Sequence, residues 1–111
     1  MDELFDINCI KEIIFDQEDE VFYLLVNKYQ EKLGLFMIRF SMHDPSVFTF
    51  FIKWKNKLDI ADADLAVMRN KDKKYKELMV TYKTIYMNTY SVYVIDISNP
   101  DLWTLFRHES F

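Results

Sequence analysis

A stretch of about sixteen residues occurs twice in this chain, about 55 residues apart. Residues 35–41 match residues 92–98 in residue class, and after a short gap residues 45–51 match residues 100–106. Aliphatic residues fall on aliphatic ones, aromatic on aromatic, and a proline and a threonine recur in the second part. Self-similarity at a fixed period indicates a repeated supersecondary unit. We therefore predict that the chain contains two copies of one structural unit.

The match extends upstream, where residues 24–26 can be laid on residues 78–80 after a further shift. This places repeat 1 at about residues 7–57 and repeat 2 at about residues 62–111. A length of 111 residues leaves room for one domain. We accordingly expect residues 1–111 to form a single domain or a domain fragment.

Each copy is typical of a strand, a turn and a second strand. In the second copy residues 92–97 are β-branched or aromatic except for Asp96, which suits a largely buried strand. The sequence Ser-Asn-Pro-Asp at 98–101 is turn chemistry, because Pro fixes φ and Asn and Asp bind their own backbone. In the first copy Lys53 and Lys55 alternate with apolar neighbours, as a strand with one wet face requires.

The segment SVYVIDISNP at 91–100 resembles the blade repeats of β-propellers, especially repeats that end in Ile-Asp-Ile-Ser followed by Asn or Asp and Pro. Residues 35–45 are similar to it more loosely, with Arg39 in place of the aspartate. The resemblance implies a mainly β fold of two propeller-like antiparallel blades that serves as a binding platform. A propeller needs about four to eight blades, so the resemblance also implies that other chains or segments complete it.

An alternative reading is a small α+β domain. A helix near 17–33 would be capped by Asp16 or Asp19 and stopped by Gly34. A second helix could cover residues 61–82, and a three- to five-stranded sheet would use the remaining apolar segments. The two predictions differ in helix content, so the presence or absence of helices in the structure distinguishes them.

Catalytic and metal-binding motifs are not evident. Cys9 is the only cysteine, which excludes an internal disulfide and a cysteine-based zinc site. The run Asp59, Asp62 and Asp64 lacks the central Gly and the final Glu of a calcium loop. We predict no metal site and no cofactor.

A metal-dependent nuclease is the one enzyme class that the sequence raises. In such an enzyme Asp44, Asp96 and Lys83 would form the site, with the acids at strand ends holding a cation. An acid beside a turn is nevertheless ordinary turn chemistry, and no acid-x-Lys pair lies on the relevant strand. We therefore disfavour the nuclease and predict that the protein is not an enzyme.

The composition favours protein–protein interaction as the function. Aromatic residues make up 17% of the chain, and buried interfaces favour aromatics and Met. We predict a non-catalytic scaffold or complex subunit that binds a protein partner or itself. The net charge of −4 argues against nucleic acid as the partner. The predicted interaction surface consists of Trp54, Trp103, Phe106, Lys53 and Lys55.

A second hypothesis treats the chain as a small acidic inhibitor or immunity-like protein. The first 20 residues hold eight acids against one lysine, and such a segment could mask a basic site on a partner. The sequence contains no apolar run of the roughly 20 residues that span a bilayer, and its acidic start is unlike a secretory signal. We therefore expect an intracellular, cytoplasmic protein with no membrane span.

Overall fold

The computed structural model describes residues 7–44, 46–54, 60–70, 74–84 and 90–110. Within these ranges a short 3-10 helix at Ile7–Cys9 precedes a series of strands. The strands are β1 (Ile10–Asp16), β2 (Val21–Tyr29), β3 (Lys32–Ser41), β4 (Val47–Trp54), β5 (Ile60–Asn70), β6 (Tyr75–Thr84), β7 (Tyr90–Asp96) and β8 (Thr104–Ser110). The prediction of a mainly β fold is confirmed.

The strands form two four-stranded antiparallel sheets, in the orders β1-β2-β3-β4 and β5-β6-β7-β8. Each sheet is a meander, in which every strand pairs with the next one along the chain. The chain divides into two compact units, Met1–Leu58 and Asp59–Phe111. Each unit contains one sheet and one of the two predicted repeats.

The central strands supply the core of each sheet. In the first sheet the fully buried side chains include Leu25, Met37 and Ile38, which lie on β2 and β3. In the second sheet Leu78 and Ile95 are fully buried on β6 and β7. These segments are rich in β-branched and aromatic residues, which pack well on a pleated surface. In the described part of the chain no helix is long and apolar enough to cross a membrane.

The predicted helix near 17–33 is wrong, because this segment forms a turn, β2 and the start of β3. Of the two acids that suggested a helix start, Asp16 is buried at the end of β1 and Asp19 lies in the turn that joins β1 to β2. In this turn Glu20 adopts a positive φ of 56°. Gln30 and Glu31 connect β2 to β3 with φ values of 50° and 67°. Two adjacent residues with positive φ make a tight hairpin turn, which is usually signalled by Asn-Gly or Asp-Gly. The sequence lacked that signal.

The second predicted helix, over residues 61–82, is also wrong, because β5 and β6 occupy this region. Along β5 the exposed Asp62 and Asp64 alternate with the half-buried Ala63 and the buried Leu65. This is the period of two that a strand with one wet face requires. The α+β alternative is therefore wrong for the described residues, because strands occupy the segments in which it places its two helices.

The two sheets share the same internal register around the repeated residues. Leu24 on β2 lies opposite Ile38 on β3, and Leu78 on β6 lies opposite Ile95 on β7. These are the residues that the sequence alignment places on one another. Phe48 pairs with Arg39, and the aligned Asp96 pairs with Thr104. The alignment of Phe48 with Trp103 is therefore wrong by one position. Trp103 precedes the strand.

Candidate interaction surface

One face of the first sheet is almost entirely apolar, and we call it the aromatic face. The strand register places its members side by side across the sheet. They are Ile10, Ile13 and Phe15 on β1, Phe22, Leu24, Val26 and Tyr29 on β2, Phe36, Ile38 and Phe40 on β3, and Val47, Thr49 and Phe51 on β4. The central members Leu24, Val26, Phe36 and Ile38 form a buried cluster.

A row of three rings crosses the aromatic face from β2 to β4. The ring centroids of Tyr29 and Phe36 are 5.7 Å apart, and those of Phe36 and Phe51 are 5.4 Å apart. Tilted pairs at such distances are a favoured arrangement of aromatic side chains. The three rings, with Gln30, Lys32 and Thr49, line an open groove of about 380 Å³. The groove therefore has an aromatic floor and a polar rim.

Gly34 allows β3 and β4 to approach closely beside this groove. A Cβ atom at this position would lie 2.9 Å from the Lys53 carbonyl oxygen and 3.2 Å from the Phe36 ring. The first contact is with backbone, which cannot move away as a flexible side chain can. Gly34 was predicted to end a helix, but it lies inside a strand, where glycine often marks such a close approach.

Exposed apolar side chains occur on all four outermost strands of the two sheets. Ile13 and Phe15 on β1 are 46% and 44% exposed, and Phe51 on β4 is 40% exposed. Met68 on β5 is similarly exposed, and so are Leu105 and Phe106 on β8. Isolated exposed apolar residues are ordinary on a protein surface, but contiguous ones indicate an interaction site. On the aromatic face the exposed residues lie at its two margins, where Ile13 and Phe15 form one group on β1 and Phe51 lies on β4, on either side of the buried cluster.

The second sheet has a corresponding row of rings with polar members. Tyr82 and Tyr93 stack with centroids 6.0 Å apart, and Tyr93 stacks on His108 at 4.1 Å. Tyr93 aligns with Phe36 in the repeat, and each lies opposite the ring of the following strand. Burial raises the pKa of Tyr93, and a hydrogen bond between the Tyr82 and Tyr93 hydroxyls adds to this effect. This row therefore contains a buried phenol that stays protonated, beside the exposed His108.

Alkaline pH should destabilise the protein through its tyrosines. Tyr75 donates a hydrogen bond of 2.8 Å to Glu77, and this bond raises the pKa of Tyr75 to about 12. An unfolded tyrosine has a pKa of about 10. Between these values the folded state holds a proton that the unfolded state has lost, so stability is full below pH 10 and falls as the pH rises toward 12. The midpoint of thermal unfolding, measured at a series of pH values across this range, should therefore decrease as the pH rises.

Phenylalanine variants provide the control for the pH prediction. Tyr75→Phe and Tyr93→Phe remove the phenol that holds the proton, so each variant should lose stability less steeply than the original chain above pH 10. The phenolate absorbance of the folded protein should also show that some tyrosines ionise at a higher pH than tyrosines in the unfolded chain. Identical pH profiles for the original chain and both variants would contradict the assignment.

The five residues of the predicted interaction surface lie in different surroundings. Lys53 is exposed on β4, and Phe106 is 65% exposed on β8. Trp103 is only 5% exposed, so its side chain packs inside the protein and offers little surface. The backbone of Trp54 pairs with Gly34, but its side chain and the whole of Lys55 lie outside the described residues. The aromatic face was not predicted from the sequence, although each of its members lies in a strand that is rich in apolar residues.

The residues considered for a nuclease are not brought together where the structure allows a comparison. Glu77 pairs with Asp96 at one end of the β6–β7 ladder, and Lys83 pairs with Tyr90 at the other end. Asp44 belongs to the first unit, where its carboxylate accepts a 2.9 Å hydrogen bond from the Ser46 backbone. That bond lowers the pKa of Asp44. Asp44 thus stabilises a turn.

Other polar groups of the described residues show no arrangement for metal binding. These residues contain no group of three or more His, Cys, Asp or Glu side chains that could hold an ion. Of the aspartates considered for calcium, Asp62 and Asp64 are exposed on β5, and Asp59 lies outside the described residues. His43 contacts the Glu20 carboxylate between two exposed turns.

Comparisons of the chain with protein-family models, with curated proteins and with solved structures find no match. The candidate site therefore rests on the physical features of the chain itself: an aromatic face with an open groove, and outermost strands that carry exposed apolar residues.

Proposed function

We propose that the chain is a non-catalytic protein–protein interaction module and part of a larger assembly. The proposal rests on one observation: large apolar side chains are exposed on β1, β4, β5 and β8, which are the edge strands of the two sheets. Folded proteins usually protect such edges, because a strand edge can pair with another chain. Removing one large apolar side chain from water contributes roughly 1.5–3 kcal/mol. Because these side chains are partly covered already, each contributes a fraction of that amount, and association requires that several are covered together.

We further propose that the two sheets act as propeller-like blades within that assembly. Support comes from the antiparallel meander of four strands in each unit and from the repeated register at Ile38 and Ile95. A blade is a four-stranded antiparallel sheet, and about four to eight of them close a propeller. Two blades are too few, so further copies or other subunits would complete the ring.

The acidic inhibitor has less support than the assembly module. Residues 10–16 of the acidic segment form β1 and pair with β2, so they belong to a sheet. Glu18, Asp19 and Glu20 are exposed in the following turn, where Glu20 contacts His43. Among the described residues of the acidic segment, a small charged turn is therefore the exposed surface that could mask a basic partner, and residues 1–6 lie outside the described residues.

Sedimentation velocity over a range of micromolar concentrations tests the proposed function. We expect reversible, concentration-dependent association, because an isolated chain exposes apolar side chains of its outermost strands to water. Dilution should return the protein to monomers, which separates assembly from irreversible aggregation. A chain that stays monomeric throughout the range and melts cooperatively would contradict the proposal.

A further inference from the structure

Among the outermost strands, β4 is the least protected against pairing with another strand. Proteins protect such edges with charged residues, proline or bulges. Each of the four outermost strands has one irregularity in its pairing, so charge is the protection that distinguishes them. The other outermost strands carry two or more charged residues: Lys11, Glu12 and Asp16 on β1, Asp62, Asp64 and Arg69 on β5, and Arg107 and Glu109 on β8. Strand β4 carries one charge, Lys53, and its first six residues, VFTFFI, carry none. Its apolar residues continue both faces of the sheet.

The sequence of β4 is complementary to itself in an antiparallel arrangement. With Thr49 opposite Thr49 of a second copy, Val47 lies opposite Phe51 and Phe48 lies opposite Phe50. Pairs of threonines, of aromatic residues, and of an aromatic with a β-branched residue are the cross-strand pairs that stabilise sheets. The two Lys53 side chains would lie at opposite ends of the pair. A parallel arrangement would instead bring the two lysines together.

The position of β4 in the sheet supports the same pairing. The row of rings on the aromatic face ends at Phe51, which is 40% exposed. Val47 lies on the same face and packs against its buried cluster. A second copy would therefore place its Val47 beside Phe51 and extend the apolar surface without introducing a charge. On the other face Phe48 packs under the Arg39 guanidinium, 5.2 Å from the ring centroid.

We propose that β4 pairs with β4 of a second copy of this chain, so that two four-stranded sheets become one continuous sheet across a two-fold axis. The inference rests on the proposed function, since it names the partner and the surface that such an assembly module uses. An interface with two-fold symmetry uses the same patch on both subunits. Thr49 lies on the axis and faces its own copy.

Charge placed at Thr49 tests the pairing. Thr49→Lys puts two like charges directly opposite each other in the dimer, and Thr49→Glu does the same with the opposite sign. Sedimentation of each variant alone should give a dissociation constant raised by at least about tenfold. A mixture of equal amounts of the two variants should restore the dimer, because Lys then faces Glu. A folding defect could not be rescued by mixing in this way.

Two further variants locate the contact. Thr104→Lys adds the same charge to the first residue of β8, another outermost strand, and should leave the dimer intact. Phe15→Lys charges the exposed margin of the aromatic face on β1, away from β4, and should also leave it intact.

The outcomes separate this inference from the proposed function. If the Thr49 variants still associate like the original chain, or if Phe15→Lys alone abolishes association, the β4 pairing is wrong and the interaction module stands. If the original chain is monomeric at all concentrations, both proposals are wrong. Loss of the dimer in both Thr49 variants, with recovery on mixing, supports the pairing.

Discussion

Replacing Trp103 with alanine should lower the free energy of unfolding by about 3–5 kcal/mol, the range for truncating a large buried aromatic residue. Trp103 is 5% exposed and lies between the turn at residues 99–101 and the start of β8. Truncation would leave a cavity that the neighbouring strands can fill only in part. Chemical denaturation followed by circular dichroism measures the change without depending on tryptophan fluorescence.

Phe106→Ala is the matched control for this prediction. Phe106 lies three residues further along the chain and is 65% exposed, so its truncation should change stability by no more than about 0.5 kcal/mol. Equal losses from the two variants, or a larger loss from Phe106→Ala, would show that the assignment of the buried residue is wrong.

The different burial of Trp103 and Phe106 could not be predicted from the sequence. Both Trp103 and Phe106 were assigned to one surface, because both are aromatic and follow the predicted turn. The pairing of β7 with β8 is irregular between Val94 and Ile95, where Arg107 and Leu105 are the partners and Phe106 falls between them. A bulge of this kind adds a residue to one strand and interrupts the alternation of faces. Apolar pattern alone does not specify where a bulge occurs.

The strand content was predictable where β-branched and aromatic residues dominate. Only the α+β alternative places residues 21–26 in a helix, because acids precede this stretch and Gly34 follows it. Turns at Glu20 and at Gln30–Glu31 use positive φ without glycine. Such conformations cost roughly 1–2 kcal/mol per residue relative to right-handed ones, so the sheet contacts must offset that cost. The strand itself agrees with local propensity, because residues 21–26 are aliphatic and aromatic and pair with the neighbouring strands β1 and β3.

The aromatic face could be seen only once the register was known. Its members come from four strands, and a shift of one residue in any strand would send that strand's contribution to the opposite face. Irregular pairing occurs between β1 and β2, between β2 and β3, and between β3 and β4. The sequence identifies apolar strands, but these irregularities decide which residues share a face. The predicted surface therefore contains the exposed Lys53 and Phe106, which lie off the aromatic face, and does not contain Phe36 and Phe51.

Ile38→Ala and Ile95→Ala should each lower the free energy of unfolding by about 2–5 kcal/mol, as expected for truncated buried isoleucines. Both side chains are fully buried on the third strand of their sheets, opposite Leu24 and Leu78 respectively. The same position in a repeated unit should produce similar losses. Urea denaturation of each variant at a single protein concentration gives the two values, with association held constant.

Ile13→Ala provides the control, because Ile13 lies opposite Leu24 on the same face but is 46% exposed. Its truncation should cost less than about 1 kcal/mol, since water already reaches the side chain. Comparable losses from Ile38→Ala and Ile95→Ala, both well above that of Ile13→Ala, are expected if the repeat in the sequence is a repeat in packing. A large loss at one site and a small loss at the other would show that the two sheets use the shared pattern differently, and the proposal of equivalent blades would then fail.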